Sequence, residues 1–220
     1  MRIKEIVWQP IVHLIDGRVV GHEALARFFD DVKPDVAFAQ AAAEGLARRL
    51  DRACVTAAFA SAPLDGWLFV NLSPDTVRDG PWPKVPRALH DRVVWELPEA
   101  PGWGPEHVKP GVAVALDDVG AGYAEFIRLR NVSWRFLKLD RSLIFDVAHD
   151  SVKQAMVVDL LAHAKRSGTV VIAEGVETVA DKELLANLGV TYGQGFLWGR
   201  PRALTPQEGR TAEIRGVRGR

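Results

Sequence analysis

Gly111-Val112-Ala113-Val114-Ala115-Leu116-Asp117-Asp118-Val119-Gly120-Ala121-Gly122 is the stretch on which the reading of this chain turns. Val112 to Leu116 is an unbroken apolar run bounded by glycine and too short for most helices, which predicts a strand buried on both faces. Two adjacent carboxylates, Asp117 and Asp118, end it. Ionised carboxylates held side by side at a buried strand end repel, so such a pair tends to share a proton or a multivalent cation. Gly120 and Gly122 then permit a tight turn. Taken alone, Asp-Asp-x-Gly equally describes an Asx turn that closes a strand. The rest of the chain decides between the two readings, because it repeats the same arrangement.

Working outward, a strand, a polar residue at its end, a turn and a helix recur along the sequence. Ile6 to Leu14 reads as a first strand that turns at Asp16-Gly17, a hairpin signal, into a second that runs into Glu23-Ala24-Leu25-Ala26-Arg27. Val36 to Ala60 is alanine-rich, with Glu44, Arg48, Arg49, Asp51 and Arg52 interspersed, and predicts one or two helices broken near Gly45. Trp67 to Val70 is a strand ending at Asn71, before a helix start at Leu72-Ser73-Pro74, and Val93 to Trp95 ends at Glu96. Beyond the central strand come a helix over 124–130, Phe136-Leu137 running into Lys138, and a helix over 151–166. Thr169 to Ala173 ends at Glu174, a helix follows over 180–188, Val190 to Tyr192 leads to Gln194, and a last helix opens near Thr205-Pro206. Eight strand ends in this order predict a β/α barrel, in which residues distant in sequence converge on one face.

Length and composition agree. A chain of 220 residues with 48% hydrophobic content can bury one large core and falls in the range of a minimal eight-fold barrel. One domain is expected over residues 1–208, with a glycine- and arginine-rich flexible tail over 209–220. Lys plus Arg and Asp plus Glu both total 28, so no global field draws the chain to a nucleic-acid polymer or an anionic membrane. The single cysteine, Cys54, makes no intrachain disulfide and reads as helix packing, and the six histidines have no zinc-ligand spacing. No signal-like segment follows Met1, and no run approaches the ~18 apolar residues of a membrane span, so a soluble cytoplasmic protein is expected.

The strand ends carry Glu23, Asn71, Glu96, Asp117, Asp118, Lys138, Glu174 and Gln194. Any one of these alone is an ordinary solvated loop residue. Five carboxylates, a lysine and two amides at consecutive strand ends form a hard-oxygen set suited to Mg²⁺ or Mn²⁺ rather than Zn²⁺. A pair such as Asp117 and Asp118 can bridge two ions, and a two-metal site suits attack on a phosphodiester. Arg27, two alternating positions beyond Leu25, offers a fork for a phosphate. The same residues also fit an enolase-type site with Lys138 as base, although such enzymes generally need a longer chain.

The motifs around these residues resemble the EAL domain, the bacterial cyclic di-GMP phosphodiesterase family. Gln9-Pro10-Ile11-Val12, Glu23-Ala24-Leu25-Ala26-Arg27, Asn71-Leu72-Ser73-Pro74, Glu96-Leu97-Pro98-Glu99, Asp117-Asp118-Val119-Gly120, Lys138-Leu139-Asp140, Glu174-Gly175-Val176-Glu177 and Gln194-Gly195-Phe196 follow in the family order, from about Val7 to Pro201. The resemblance implies a TIM-like (β/α)8 barrel variant with one antiparallel strand, in keeping with the hairpin signal. It implies that Glu23, Asn71, Glu96 and Asp117 bind one Mg²⁺ or Mn²⁺ ion, with Asp117 bridging to a second held by Asp118 and Glu174. Glu174 would serve as general base, directly or through water, and Lys138 would orient or assist the attacking water. Gln9, Leu25, Arg27, Asp140 and Gln194 would contact the nucleotide or lie close to it, and Glu99 and Glu177 would support the surrounding loops. The implied reaction is hydrolysis of cyclic di-GMP to linear pGpG. The implied assembly is a homodimer.

Departures from the family pattern cluster in one place. Val119 stands where phenylalanine is usual, Ala121 where threonine is, Ala124 and Glu125 where serines are, and Pro98 where a threonine precedes the acid. They bear on turnover and dimer coupling more than on the ligand set, which is intact. The alternative function is therefore a sensor module that binds cyclic di-GMP with catalysis slow or absent. The seven tryptophans read as packing, with stacking on guanine a second reading for Trp198.

Overall fold

The computed structural model describes residues 2–120, 132–205 and 208. Eight strands close into a barrel in sequence order: β1 Ile3–His13, β2 Val19–Phe28, β3 Trp67–Asn71, β4 Val93–Pro98, β5 Ala113–Val119, β6 Phe136–Leu139, β7 Val170–Ala173 and β8 Tyr192–Gln194. β1 runs antiparallel to both of its neighbours, β2 and β8, and every other pairing is parallel. The single reversed strand follows from the hairpin at Asp16-Gly17. There Gly17 takes φ 69°, and the Asp16 carboxylate accepts the Arg18 N–H at 3.0 Å.

Helices follow the strands as the sequence predicts. The alanine-rich segment divides into α1 Pro34–Ala43 and α2 Ala47–Ala60 around Gly45, whose φ of 71° no other residue takes so cheaply. Then come α3 Pro74–Asp79, α4 Arg141–Ile144, α5 Ser151–Ser167 and α6 Val179–Leu188. Ser73, Asp140, Asp150 and Thr178 cap α3, α4, α5 and α6 with side-chain oxygens that accept backbone N–H groups. The helix expected over 124–130 and the tail over 209–220 lie outside the described residues, as does most of the segment that opens at Thr205. Among the described residues, no helix is long and apolar enough to cross a membrane.

The two-residue period of the strands builds the interior in layers. Ile11, Phe69, Val94, Ala115, Phe136 and Ile172 point inward and form a buried plug across the barrel. Phe136 meets Phe69 and Trp67 edge-on, with ring centroids 5.0 and 5.8 Å away. Gly21 completes this layer on β2, because a Cβ there would come within 2.8 Å of the Trp67 carbonyl and 3.3 Å of the Phe69 ring. The outward residues Leu68, Val70, Trp95, Leu97, Val114, Leu116, Leu137 and Leu139 are buried in a second, larger cluster. Both faces of β5 are thus dry, which is why the run Val112 to Leu116 shows no alternation.

Candidate active site at the barrel mouth

One inward step beyond the plug, each strand presents a polar side chain. The pairs are Phe69 and Asn71, Val94 and Glu96, Ala115 and Asp117, Phe136 and Lys138, Ile172 and Glu174; on antiparallel β1 the order reverses, from Ile11 back to Gln9. The spacing that reads as "polar residue at strand end" is therefore the second inward position of a barrel strand.

Asp118 breaks this rule and shows how two neighbouring carboxylates reach one site. A regular strand would send Asp117 and Asp118 to opposite faces. The ladder between β5 and β6 pairs Leu116 with Leu137 and Val119 with Leu139, so β5 carries one extra residue and bulges. Asp118 occupies the left-handed region there, with φ 59°, a conformation that aspartate tolerates better than most residues. As a result Asp117, Asp118 and Glu174 offer oxygens that all lie within 4.8 Å of one another.

Lys138 occupies the middle of this acidic ring. Its Nζ lies 2.5 Å from Glu96, 2.6 Å from Glu174, 2.8 Å from Asp117 and 3.6 Å from Glu23, and the side chain is 1% exposed. Burial works against the Lys138 ammonium, yet Asp117, Glu174, Glu23 and Glu96 together hold its pKa well above the ordinary lysine value. Burial and then Glu23 drive the Glu96 carboxyl well above its usual range, against the pull of Lys138. Burial also drives Glu174 well up, again opposed by Lys138 and reinforced by Asp117. Asp118 is exposed at the mouth, yet desolvation by the surrounding protein and then the Asp117 charge push its carboxyl to about 6. The amides knit the ring together. Asn71 Nδ2 donates to Glu23 at 3.1 Å and to Glu96 at 2.9 Å, and Gln194 Nε2 donates to Glu23 at 2.5 Å and to Gln9 at 3.1 Å.

Two cavities open on the ring. A smaller one of about 240 Å³ is lined by Gln9, Glu23, Asp117, Asp118, Lys138 and Glu174 among others. A larger, mainly apolar one of about 460 Å³ runs from Glu23, Asn71 and Asp118 past Leu25 to Pro34, Phe38 and Cys54. Leu25 borders both. Gln9, Glu23, Leu25, Asn71, Glu96, Asp117, Asp118, Lys138, Glu174 and Gln194 are accordingly brought together.

Other expected site residues have different surroundings. Arg27 donates to the Ala26 carbonyl at 3.0 Å and borders a separate cleft with Lys4, Glu5 and Asp31. Asp140 caps α4 by accepting the Ser142 N–H at 2.8 Å. Glu177 pairs with Arg141 at 2.9 Å on the rim of the smaller cavity, and the Glu99 N–H donates to the Asp117 carbonyl at 3.3 Å. Trp198 packs against the hydrophobic core, and Cys54 is half-buried on α2, where burial pushes its thiol up to about 12. Sequence reasoning missed Asp51, which is 1% exposed and bonded to Ser73 beside the larger cavity. A carboxylate four residues from Ala47 and four from Val55, on the apolar stripe of α2, was the available signal.

The donor chemistry fits a divalent cation. The smaller cavity is lined by carboxylate and amide oxygens without imidazole or thiol, and Gln194 Oε1 is buried with no hydrogen-bond partner among the described residues. The residues that would hold such an ion are Glu23, Asn71, Glu96, Asp117, Asp118 and Glu174.

Fold and site together define a TIM-like barrel with a carboxylate-and-lysine centre at the mouth. The chain belongs to the EAL domain family, whose model matches residues 4–201. It is 42% identical over 91 residues to the bifunctional diguanylate cyclase/cyclic di-GMP phosphodiesterase MucR of Pseudomonas aeruginosa, a match covering 41% of this chain and 13% of that protein. It is 28% identical over 223 residues to the probable cyclic di-GMP phosphodiesterase PdeB of Escherichia coli, covering 88% of this chain and 42% of that protein. The chain thus spans less than half the length of these curated relatives. Among solved structures, BlrP1 of Klebsiella pneumoniae in a calcium and cyclic di-GMP complex superposes with TM-score 0.77 at 30% identity, over 90% of this chain and 55% of that one. The phosphodiesterase MucR in complex with cyclic di-GMP gives TM-score 0.74 at 26% identity, over 90% of this chain and 91% of that one.

Proposed function

We propose that this chain is a divalent-cation-dependent phosphodiesterase that hydrolyses one phosphodiester of cyclic di-GMP to give linear pGpG. The observation that carries the reading is the ring of Glu23, Asn71, Glu96, Asp117, Asp118 and Glu174 around Lys138, within a barrel of a family whose relatives are named for that activity. Mg²⁺ or Mn²⁺, as one or two ions, would lower the pKa of a water and offset phosphate charge. Glu174 would take the proton as the water oxygen bonds to phosphorus and the phosphorus–ester oxygen bond breaks. The leaving oxygen would take a proton from solvent water to become the free hydroxyl. The position of Glu174, 2.6 Å from the Lys138 ammonium and among the ring carboxylates, suits it to the role of base. Lys138 would hold Asp117 and Glu174 in register and orient the water. Gln9, Leu25 and Gln194 border the smaller cavity and would receive the phosphodiester, with Arg27 turning toward a phosphate once the nucleotide is bound. The larger cavity would take one nucleotide arm.

Incubation with cyclic di-GMP under Mg²⁺, Mn²⁺ and no added metal, with products separated by chromatography, tests the proposal. Metal-dependent pGpG is expected, and Asp117→Asn should lose cation binding and product together. Nucleotide binding without product under either metal would overturn the hydrolase in favour of the sensor.

The electrostatics add a pH dependence. Asp118 must lose its proton to take a cation, and its carboxyl in the cation-free protein is raised to about 6. Glu96 and Glu174, whose carboxyls are also raised, must deprotonate as well. Affinity for Mn²⁺ should therefore fall continuously as pH drops from 8 to 5, by on the order of tenfold per unit below pH 6. Calorimetric titrations at pH 5, 6 and 7.5 read this directly, and equal affinities at all three would contradict it.

A further inference from the structure

We propose that Asp51, on α2 and outside the carboxylate ring, is a positioning residue: through Ser73 it fixes the turn after β3 and thereby sets the Asn71 carboxamide between Glu23 and Glu96. The proposal rests on the cation site inferred above and concerns how that site is held. α2 buries Ala47, Leu50, Val55 and Ala58 along one stripe, and Asp51 lies in the same stripe at 1% exposure. A carboxylate in such a place is costly unless it is hydrogen-bonded. Asp51 Oδ2 accepts the Ser73 N–H at 3.0 Å and the Ser73 hydroxyl at 2.6 Å, and the Thr76 hydroxyl beside them also favours the ionised carboxylate.

Ser73 is also the N-cap of α3, where its Oγ accepts the Thr76 N–H at 3.4 Å. With the hydroxyl proton given to Asp51, the lone pairs of Oγ are turned toward the helix. The chain between Ser73 and the ring is short and tied at each residue. The Leu72 N–H donates to the Glu96 carbonyl at 3.0 Å, and the Asn71 side chain donates to Glu23 and Glu96. Asn71 itself is exposed, so packing does not hold its side chain, and its bonds to Glu23 and Glu96 form only where the backbone on either side places it. β3 supplies that anchor on one side, and Ser73 with Asp51 supplies it on the other.

The test uses the full chain with Asp51→Ala, Ser73→Ala, the double variant, Asp51→Asn, and Leu50→Ala as a packing control on the same helix. Two quantities are read: the side-chain amide resonances of Asn71 in the ¹⁵N-labelled, cation-free protein, and Mn²⁺ affinity by calorimetry. Asp51→Ala and Ser73→Ala should each shift the Asn71 resonances and weaken Mn²⁺ binding by about three- to tenfold. The double variant should lose less than the sum of the two, because the Ser73 hydroxyl–Asp51 bond is common to both. Asp51→Asn keeps an acceptor for the Ser73 N–H and should recover most of the affinity. Leu50→Ala should lower the melting temperature and leave both readouts unchanged. Asn71 resonances unmoved in folded Asp51→Ala and Ser73→Ala would overturn the proposal, as would equal losses in Leu50→Ala. The resonances report on Asn71 even if the wild-type protein takes up no Mn²⁺ or cleaves no nucleotide, so failure of the phosphodiesterase reading is distinguishable from failure of this one.

Discussion

Glu174→Gln is expected to bind cyclic di-GMP within about threefold of wild type while hydrolysing it on the order of a thousandfold more slowly, the range that loss of a general base produces. Glutamine has nearly the size of glutamate and can accept the same hydrogen bonds, but it takes no proton from water. Glu174 directly follows β7, its N–H donates to the Leu139 carbonyl at 3.0 Å, and its carboxylate meets Lys138 at 2.6 Å. The backbone placement therefore survives the substitution. Binding should survive with it, because Gln9, Leu25 and Gln194 border the same cavity independently of that carboxylate. Calorimetry with the nucleotide, beside product formation over hours, separates the two effects. A wild-type rate from the purified variant would sink the base assignment; joint loss of binding and rate would recast Glu174 as a cation ligand alone.

The barrel and most of its mouth are legible in the sequence because both rest on local periodicities. Phe69 and Asn71, or Phe136 and Lys138, stand two apart, and two is the strand period that carries a side chain one layer up the same face. Gly45 and Gly17 are legible for a similar reason, since each turn there needs a backbone conformation that favours glycine. What escapes the sequence is set by partners far along the chain. The bulge that turns Asp118 toward Asp117 exists only against β6, and no feature of Asp117-Asp118-Val119 alone distinguishes it from a regular strand end. Asp51 stands among Arg48, Arg49 and Arg52 and reads as one more solvated charge. Its burial depends on Ser73, 22 residues later, folding across it. The Arg27 guanidinium was expected at the phosphate from alternation with Leu25, yet a long side chain at a strand end is free to turn back, here to the Ala26 carbonyl.

Lys138→Met should lower the melting temperature of the cation-free protein by ~10 °C, with the loss largely reversed by millimolar Mn²⁺. The Lys138 ammonium is the only positive charge that reaches Glu23, Glu96, Asp117 and Glu174 among the described residues' ion pairs. Removing one partner of a buried ion pair costs about 3–5 kcal/mol, because the charges left behind are neither solvated nor neutralised. For a chain of this length each kcal/mol moves the melting point by roughly 2–4 °C. The sign of the pH effect follows from Glu96 and Glu174. Both are pushed up by burial and held down in part by Lys138, so without the lysine they rise further, and the variant loses stability as pH increases. The gap between variant and wild type should therefore be small near pH 5 and wide at pH 8. Mn²⁺ affinity should increase severalfold, since the cation no longer competes with an ammonium 2.5–2.8 Å from three of its carboxylates. Hydrolysis should fall despite the tighter metal. A cation-free Lys138→Met protein that melts with the wild type, or binds Mn²⁺ no more tightly, would show that the ring does not depend on its internal cation.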